Sequence, residues 1–183
     1  MIDLAILGLL KDEPLHGYEL RKRLTAMGAG GAFSYGSLYP ALRRLERDSF
    51  ILKTRPAGTL RGKKVYALTA AGTARFFDLL ADDSPADRDR TFAVKLAFFR
   101  HVAAEARLEA LEDRRAEVAE RLHEARKALR AAQRNQTIDR YTLALLHRAV
   151  QREEVDLHWI DGLLTAELAT EPSTGAALRR EPA

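Results

Sequence analysis

The sequence contains no cysteine, which excludes a disulfide framework, a thiolate nucleophile and a cysteine metal cluster. It also lacks any apolar run of the roughly 18 residues that a membrane-spanning helix needs. Its first residues, MIDLAILGLLKDEP, have neither the basic start nor the cleavage site of a secretory signal. We therefore expect a cytoplasmic protein that makes no membrane contact.

The motifs of catalysis are missing as well. The sequence has no serine–histidine–aspartate ordering and no dense carboxylate cluster, and the glycine-rich stretch MGAGGAF is not followed by the lysine–serine pair of a phosphate-binding loop. His147, Glu154 and His158 share one side of a predicted helix, but they lack the tight pair spacing of metal-binding helices. We predict no enzymatic activity, no cofactor and no metal site.

The residues that are present indicate a folded, helix-rich protein with an uneven charge distribution. Of its 183 residues, 46% are hydrophobic and 31% are charged. Residues 1–80 carry 13 lysines and arginines against 7 acidic residues, a balance of +6, whereas the remainder carries 17 against 19, a balance of −2. This asymmetry favours a polyanion-binding part joined to an assembly module.

The first 80 residues have the element order of a winged helix-turn-helix, which is helix, helix, helix, hairpin and helix. Ile2–Leu10 is an almost wholly apolar helix that stops before Pro14. The remaining predicted elements are the helix HGYELRKRLTAM, the helix SYGSLYPALRRLE, a hairpin with strands Ile51–Arg55 and Lys63–Leu68 around the tip Pro56–Gly62, and a last helix after Thr69.

The third helix has a proline near its start. Pro40 is tolerated only if the helix begins shortly before it, because the N–H groups of the first helical turn have no intrahelical acceptor and a proline there loses no hydrogen bond. Ser37 as N-cap places Pro40 in that first turn, and Ser34 is the alternative cap. Helical spacing predicts a buried side of Leu38, Ala41, Leu42 and Leu45 and an exposed line of Ser37, Pro40, Arg44 and Arg47.

The second half of the chain reads as long helices. We predict a linker at residues 81–90, a helical dimerisation domain at 91–168, with a short buried helix at Phe92, Leu96 and Phe99, and a frayed tail at 169–183. A heptad-like seam, interrupted at Arg115, either joins two subunits or packs within the monomer as an antiparallel hairpin. Its predicted dimerisation residues are Leu108, Leu111, Val118, Leu122, Leu129, Leu146, Val150, Leu157, Ile160 and Leu164.

Three stretches in the correct order, HGYEL, SYGSLYPALRRLE and GKKVYALTAAG, resemble the PadR family of transcriptional regulators. The resemblance covers essentially the whole chain, although the C-terminal half matches only in length and character, as in larger members with a multi-helix dimerisation region. One position departs: the family usually has glycine directly after the third helix, where this sequence has Ser49. Because the chain often turns there through positive φ, we expect Ser49 to be strained by about 1 kcal/mol.

The resemblance implies a homodimeric repressor that binds an inverted-repeat operator in double-stranded DNA. The third helix would enter the major groove, and the wing would lie on the backbone or in the minor groove. Hydroxyls and a glycine at a helix start, with arginines and lysines nearby, suit phosphate and base contacts. The predicted DNA-binding residues are Tyr18, Ser34, Tyr35, Gly36, Ser37, Tyr39, Arg43, Arg44, Arg61, Lys63 and Lys64.

Two further expectations accompany this one. The resemblance implies a small aromatic or drug-like effector, for which Phe98 and Trp159 are candidate lining residues, with packing inside the protein as the alternative role of each. The rival function is a protein-interaction module, in which the winged domain is a scaffold and the long helices bind a partner. The basic wing favours DNA.

Overall fold

A computed structural model describes residues 1–27, 35–54, 65–82, 88–135 and 137–170. They form the predicted mainly helical fold with one small antiparallel hairpin. The chain divides into two compact units, Met1–His101 and Val102–Ala183. Among the helices of the described residues, none has the length and apolarity that crossing a bilayer requires.

The first unit is built around helix α1 (Ile2–Asp12), in which every residue from Leu4 to Leu10 is buried. The helix ends where predicted, because Glu13, which precedes Pro14, is extended with φ −161° and ψ 155°. Helices α2 (Gly17–Ala26) and α3 (Tyr35–Arg47) pack against α1. An apolar helix enclosed by its neighbours in this way forms the core of the unit.

Helix α3 starts earlier than one of the two predicted caps allows. It begins at Tyr35, so Ser37 lies inside the helix and the prediction of Ser37 as N-cap is wrong. Ser34, the alternative cap, lies outside the described residues. Pro40 is therefore an interior helix residue and cannot donate a hydrogen bond to the carbonyl of Gly36.

The wing is an antiparallel pair of strands, β1 (Ile51–Thr54) and β2 (Val65–Leu68), with Ile51 opposite Leu68. Both strands fall inside the predicted ones, and residues 55–64 lie outside the described part of the chain. Leu15 adds a second antiparallel pairing that the sequence did not indicate: its N–H donates to the Tyr66 carbonyl at 3.0 Å and its carbonyl accepts from the Tyr66 N–H at 2.8 Å. The wing is thus joined to the segment between α1 and α2.

The corner after α3 turns through positive φ, as predicted. Ser49 has a φ of 60°, its N–H donates to the Glu46 carbonyl at 3.1 Å, and the Phe50 N–H donates to the Leu45 carbonyl at 2.9 Å. These two bonds form a Schellman motif, in which the left-handed position is usually glycine. Ser49 therefore occupies a strained backbone conformation.

We expect Ser49→Gly to raise the free energy of unfolding by about 1 kcal/mol, because it relieves the left-handed strain at a small cost in unfolded-chain entropy. Urea unfolding followed by circular dichroism measures the change. Ser49→Ala is the matched control, since it removes the exposed hydroxyl but keeps the Cβ atom that causes the strain. A less stable Ser49→Gly variant would contradict this account.

Helices α4 (Ala70–Ala81) and α5 (Arg88–Leu96) and a 3₁₀ turn (Phe99–His101) complete the first unit. The buried residues at its end are Val94 and Phe98, whereas Phe92, Leu96 and Phe99, predicted to form the buried face, are only half-buried. A Cβ atom on Gly8 would lie 2.4 Å from the Phe98 ring. This packing against α1 places residues 91–101 in the first unit, whereas the predicted domain boundary assigned them to the second.

The second unit is an antiparallel hairpin of two long helices, α6 (Ala104–Arg134) and α7 (Arg140–Thr170). Ion pairs fix its direction, since Arg107 near the start of α6 meets Glu167 near the end of α7. Asp139 caps α7 by accepting from the N–H groups of Tyr141 at 2.8 Å and Thr142 at 3.1 Å. Within one chain, the apolar seam therefore packs as an antiparallel hairpin, which was the intramolecular alternative in the sequence analysis.

This hairpin changes the interpretation of the predicted dimerisation residues. Five of them are buried within a single chain, namely Leu111, Val118, Leu122, Val150 and Ile160. The other five are half-buried, namely Leu108, Leu129, Leu146, Leu157 and Leu164. Residues already covered by their own chain have little surface left for a second subunit, so packing within the hairpin accounts for this seam.

Two charged residues, Arg114 and Glu153, are buried in the hairpin. Arg114 is buried, whereas Arg115, the predicted interruption, is exposed and pairs with Asp161 at 2.5 Å. Glu153 is also buried and pairs with Arg121 at 2.9 Å and Arg152 at 2.6 Å. Burial by itself would raise the pKa of Glu153, but the hydrogen bonds from both arginines outweigh it and lower that pKa. The ionised carboxylate stabilises the hairpin at neutral pH, and this contribution is lost as the pH falls through the lowered pKa.

Candidate nucleic-acid interface

The exposed face of α3 carries most of the predicted contact residues. Leu38, Ala41, Leu42 and Leu45 are buried, which confirms the predicted inner side of the helix. The outer side consists of Gly36, Tyr39, Pro40, Arg43, Arg44 and Arg47, with Ser37 half-buried beside them. One turn of backbone N–H groups at the start of the helix has no intrahelical acceptor, which gives this end a partial positive charge.

The three arginines of α3 differ in their partners. Arg43 is exposed and makes no ion pair with the described part of the chain. Arg44 pairs with Asp3 of α1, with 2.5 Å between the Arg44 Nη2 and Asp3 Oδ1 atoms. Arg47 pairs with the adjacent Asp48 at 2.9 Å. Of the three, Arg43 is the side chain best placed to bind an external anion.

The start of α2 contributes an exposed tyrosine. Tyr18 is 70% exposed, and the guanidinium of Arg21 lies 5.9 Å from the centre of its ring. His16 is the residue before the helix, as predicted. Because Tyr18 is largely exposed on a surface that also carries a cation, its hydroxyl can donate a hydrogen bond to phosphate.

Tyr39 and Tyr66 both lie close to Gly17. A Cβ atom placed on Gly17 would be 3.7 Å from the Tyr39 ring and 3.6 Å from the Tyr66 ring. Tyr39 is nevertheless 37% exposed. Its ring packs against the start of α2 while part of it is exposed. Tyr39 can therefore pack within the domain and still make the predicted contact with DNA.

The base of the wing carries Lys53, which donates to Glu46 at 2.6 Å and lies 5.5 Å from the centre of the Tyr66 ring. The hydrogen bond to Glu46 raises the pKa of Lys53, so this amine stays charged. The predicted contacts Ser34, Arg61, Lys63 and Lys64 lie outside the described residues, and only the backbone of Tyr35 is described.

The motif residues Thr69 and Gly72 hold the corner between α3 and the wing. The Thr69 hydroxyl donates to the Ser49 carbonyl at 2.8 Å and accepts from the Gly72 N–H at 2.9 Å, which confirms Thr69 as the cap of α4. A Cβ atom on Gly72 would lie 1.9 Å from the Phe50 carbonyl oxygen. These residues of GKKVYALTAAG are therefore structural and fix where the wing leaves α3.

The two effector candidates are in different environments. Phe98 is buried in the first unit, with its ring edge-on to Phe76 at 5.7 Å, so it belongs to the core and not to a ligand site. Trp159 is 47% exposed on α7, so its own chain leaves about half of its surface uncovered. Within the described residues, no group of three histidine and acidic side chains is placed to hold a metal ion.

Three helices followed by a two-stranded wing, with the third helix exposed on a basic side, define a winged helix-turn-helix protein. Residues 6–77 match the model of the Transcriptional regulator PadR-like family, and residues 90–166 match the model called Virulence activator alpha C-term. The chain thus contains a PadR-like domain followed by this C-terminal region, and the resemblance noted in the three motifs is confirmed.

Solved structures of such regulators are similar to the chain. Bacillus subtilis PadR in complex with operator DNA is 22% identical, with 91% of this chain and 98% of that one covered and a TM-score of 0.41. The Vibrio cholerae virulence activator AphA is 21% identical, with 93% and 100% covered and a TM-score of 0.40. None of the curated proteins matches the chain significantly.

Proposed function

We propose that this protein is a transcriptional regulator that binds operator DNA through the exposed face of α3. The observation that carries the proposal is Arg43, an exposed cation without an ion pair to the described residues, on a helix whose other side is fixed in the core of a PadR-like domain. A rigid helix with a cation directed outward is what major-groove docking requires. Such a regulator acts in the cytoplasm, where its operator is.

Several elements would contribute phosphate contacts around this helix. The start of α3, with Gly36 exposed, offers backbone N–H groups where the helix dipole favours an anion. Tyr18 adds a hydroxyl from α2, and Lys63 and Lys64 would add cations from the wing. Contacts of this kind position the protein on the duplex and supply most of its salt-dependent affinity.

We further propose that the protein is a homodimer and that the outer face of α7 forms the interface. This face carries exposed apolar residues, Tyr141, Leu145, Val155 and Trp159. Tyr141 and Trp159 lie at equal distances in sequence on either side of Val150, and so do Leu145 and Val155. Two α7 helices packed antiparallel about a two-fold axis near Val150 would therefore bring Tyr141 against the partner's Trp159 and Leu145 against the partner's Val155.

A glycine of α7 supports this packing. Gly162 lies on the same face, and no described atom comes within 4 Å of a Cβ atom placed on it. A mid-helix glycine costs about 1 kcal/mol relative to alanine, and a partner helix that approaches closely gives it a purpose. The same register places Arg148 opposite the partner's Arg152, and Glu153, which lies 2.6 Å from Arg152, reduces the repulsion between these two charges.

A two-fold dimer predicts an inverted-repeat operator whose half-sites lie about one helical turn, or a multiple of it, apart. Repression follows if such an operator overlaps a promoter. The proposal also includes release of the operator DNA when a small aromatic effector binds the protein. Because Trp159 is the single tryptophan of the sequence, its fluorescence reports a ligand that binds near α7.

The salt dependence of DNA binding tests the central proposal. The logarithm of the affinity should fall linearly with the logarithm of salt concentration, by about 0.9 for each phosphate neutralised, and Arg43→Ala should reduce the slope by about twice that amount, because the proposed dimer carries two copies of Arg43. Arg47→Ala is the matched control, because Asp48 already neutralises Arg47. A filter-binding titration with a slope near zero for the unmodified protein would reject DNA binding.

The rival function is a protein-interaction module, for which the exposed face of α7 is the supporting observation. A gel shift with the DNA that flanks the protein's own gene separates the two functions, because such regulators often control adjacent genes. A retarded band that survives competitor DNA supports the regulator. No retardation at low salt supports the interaction module.

A further inference from the structure

The ion pair between Asp3 and Arg44 joins two elements that are distant in sequence. Asp3 lies in the first turn of α1, Arg44 lies in α3, and 41 positions separate them. The Arg44 side chain is 44% exposed and the Asp3 side chain is 28% exposed. The pair is therefore at the surface, on the same side of α3 as the candidate interface.

This pair holds Arg44 in a way that Arg43 and Arg47 are not held. Arg47 is paired with its sequence neighbour, and Arg43 has no pair within the described residues. Asp3 belongs to another helix and approaches the Nη2 atom of Arg44. A guanidinium has five N–H donors in a planar fork, so donors remain after one contact is made, and the plane of the fork is restrained.

We propose that Asp3 is a positioning residue for specific DNA recognition: it holds Arg44 so that the free edge of the guanidinium contacts a guanine in the major groove, while Arg43 binds phosphate. The inference rests on the proposed function and assigns different roles to two adjacent arginines. A bidentate contact between arginine and the O6 and N7 atoms of guanine is the commonest specific contact in protein–DNA complexes. It requires an oriented fork, whereas a phosphate contact requires only positive charge.

The carboxylate has a second effect on specificity. A negative charge beside the interface repels phosphate wherever the protein binds, so Asp3 weakens non-specific binding. At the correct sequence, the same carboxylate reduces the conformational entropy that Arg44 loses on binding guanine. Both effects increase the ratio of specific to non-specific affinity.

The general role of Asp3 in the fold does not depend on Arg44. An acidic residue in the first turn stabilises a helix through its dipole, and a surface ion pair adds little stability. Loss of these contributions would lower the population of folded protein and so reduce binding to every duplex in the same proportion. A change in the ratio of two affinities separates the positioning role from the structural one.

The experiment compares two duplexes at one salt concentration. The first is the sequence that the unmodified full-length protein selects from a random duplex library, and the second is poly(dA-dT), which has no guanine O6 and N7 pair in its major groove. For Asp3→Asn we expect affinity for the selected duplex to fall roughly tenfold, while affinity for poly(dA-dT) stays level or rises. Arg44→Lys keeps the charge without the planar fork, so it should lose the same preference with an unchanged salt slope.

Two variants serve as controls. Asp3→Glu keeps the carboxylate and should recover part of the preference, and Arg43→Ala should weaken binding to both duplexes alike. If Asp3→Asn and the unmodified protein had the same ratio of affinities for the two duplexes, the positioning role would be overturned and the proposed function would stay intact. Failure of the unmodified protein to bind either duplex would overturn both.

Discussion

Replacing Val155 with aspartate is expected to convert the dimer into monomers and to lower operator affinity by at least about 100-fold. Val155 is 67% exposed on α7, so the substitution costs the single chain little. In the proposed interface it would bury a carboxylate against the partner's Leu145, and an unpaired buried charge is strongly unfavourable. A monomer loses the second DNA-binding head, and linking two heads commonly raises affinity by factors of about 10² to 10⁴.

Sedimentation and gel shifts measure the two halves of this prediction. Trp159 adds a third readout, because its emission should shift to the blue as the unmodified protein dimerises and should stay red-shifted in Val155→Asp. His147→Asp is the matched control: His147 is exposed on the same helix but lies outside the apolar face. A Val155→Asp protein that still sediments as a dimer would place the interface elsewhere.

The absence of cysteine makes the antiparallel register directly testable. A mixture of Leu145→Cys and Val155→Cys chains should form a disulfide between subunits, because the register places these two positions opposite each other. Either variant alone should not cross-link, since its two thiols would be about 15 Å apart along the helix axis, beyond the span of a disulfide.

Gly72→Ala should cause a large loss of stability, about 3 kcal/mol or more, and DNA binding should be lost with it. The new Cβ atom would lie 1.9 Å from the Phe50 carbonyl oxygen, and a backbone atom cannot move aside as a flexible side chain can. Either α4 or the corner after α3 would have to shift, which breaks the hydrogen bonds of Thr69. Urea unfolding gives the free energy, and a gel shift gives the binding.

Gly17→Ala provides the comparison, because it is the same substitution at another motif glycine of the first unit. A Cβ atom there meets its nearest neighbours at 3.6 Å and 3.7 Å, an ordinary contact distance. We expect Gly17→Ala to stay within about 0.5 kcal/mol of the unmodified protein. If both substitutions have the same effect, close packing of α4 on Phe50 is not the reason for the glycine at position 72.

Local sequence patterns predicted the elements of the first unit well. The spacing of Leu38, Ala41, Leu42 and Leu45 gave the buried side of α3 because helical periodicity is a local property. The positive φ at Ser49 and the capping role of Thr69 were also predictable, since both follow from backbone rules that apply within a few residues.

Features that depend on tertiary contacts were missed. The Asp3–Arg44 pair joins positions 41 apart, and a single residue such as Leu15 has no strand pattern that could indicate its pairing with Tyr66. On α7, the apolar seam predicted as a subunit interface is used inside the hairpin. Periodicity shows that a helix has an apolar side, but it does not identify the helix that covers it.

The Thr69 hydroxyl group connects α4 mechanically to the helix that carries the candidate DNA contacts. One oxygen atom closes the end of α3, through the Ser49 carbonyl, and opens α4, through the Gly72 N–H. A tilt of either helix would strain these bonds, so we expect α3, the wing and α4 to move together. A displacement of α4 would therefore also shift the arginines on the surface of α3.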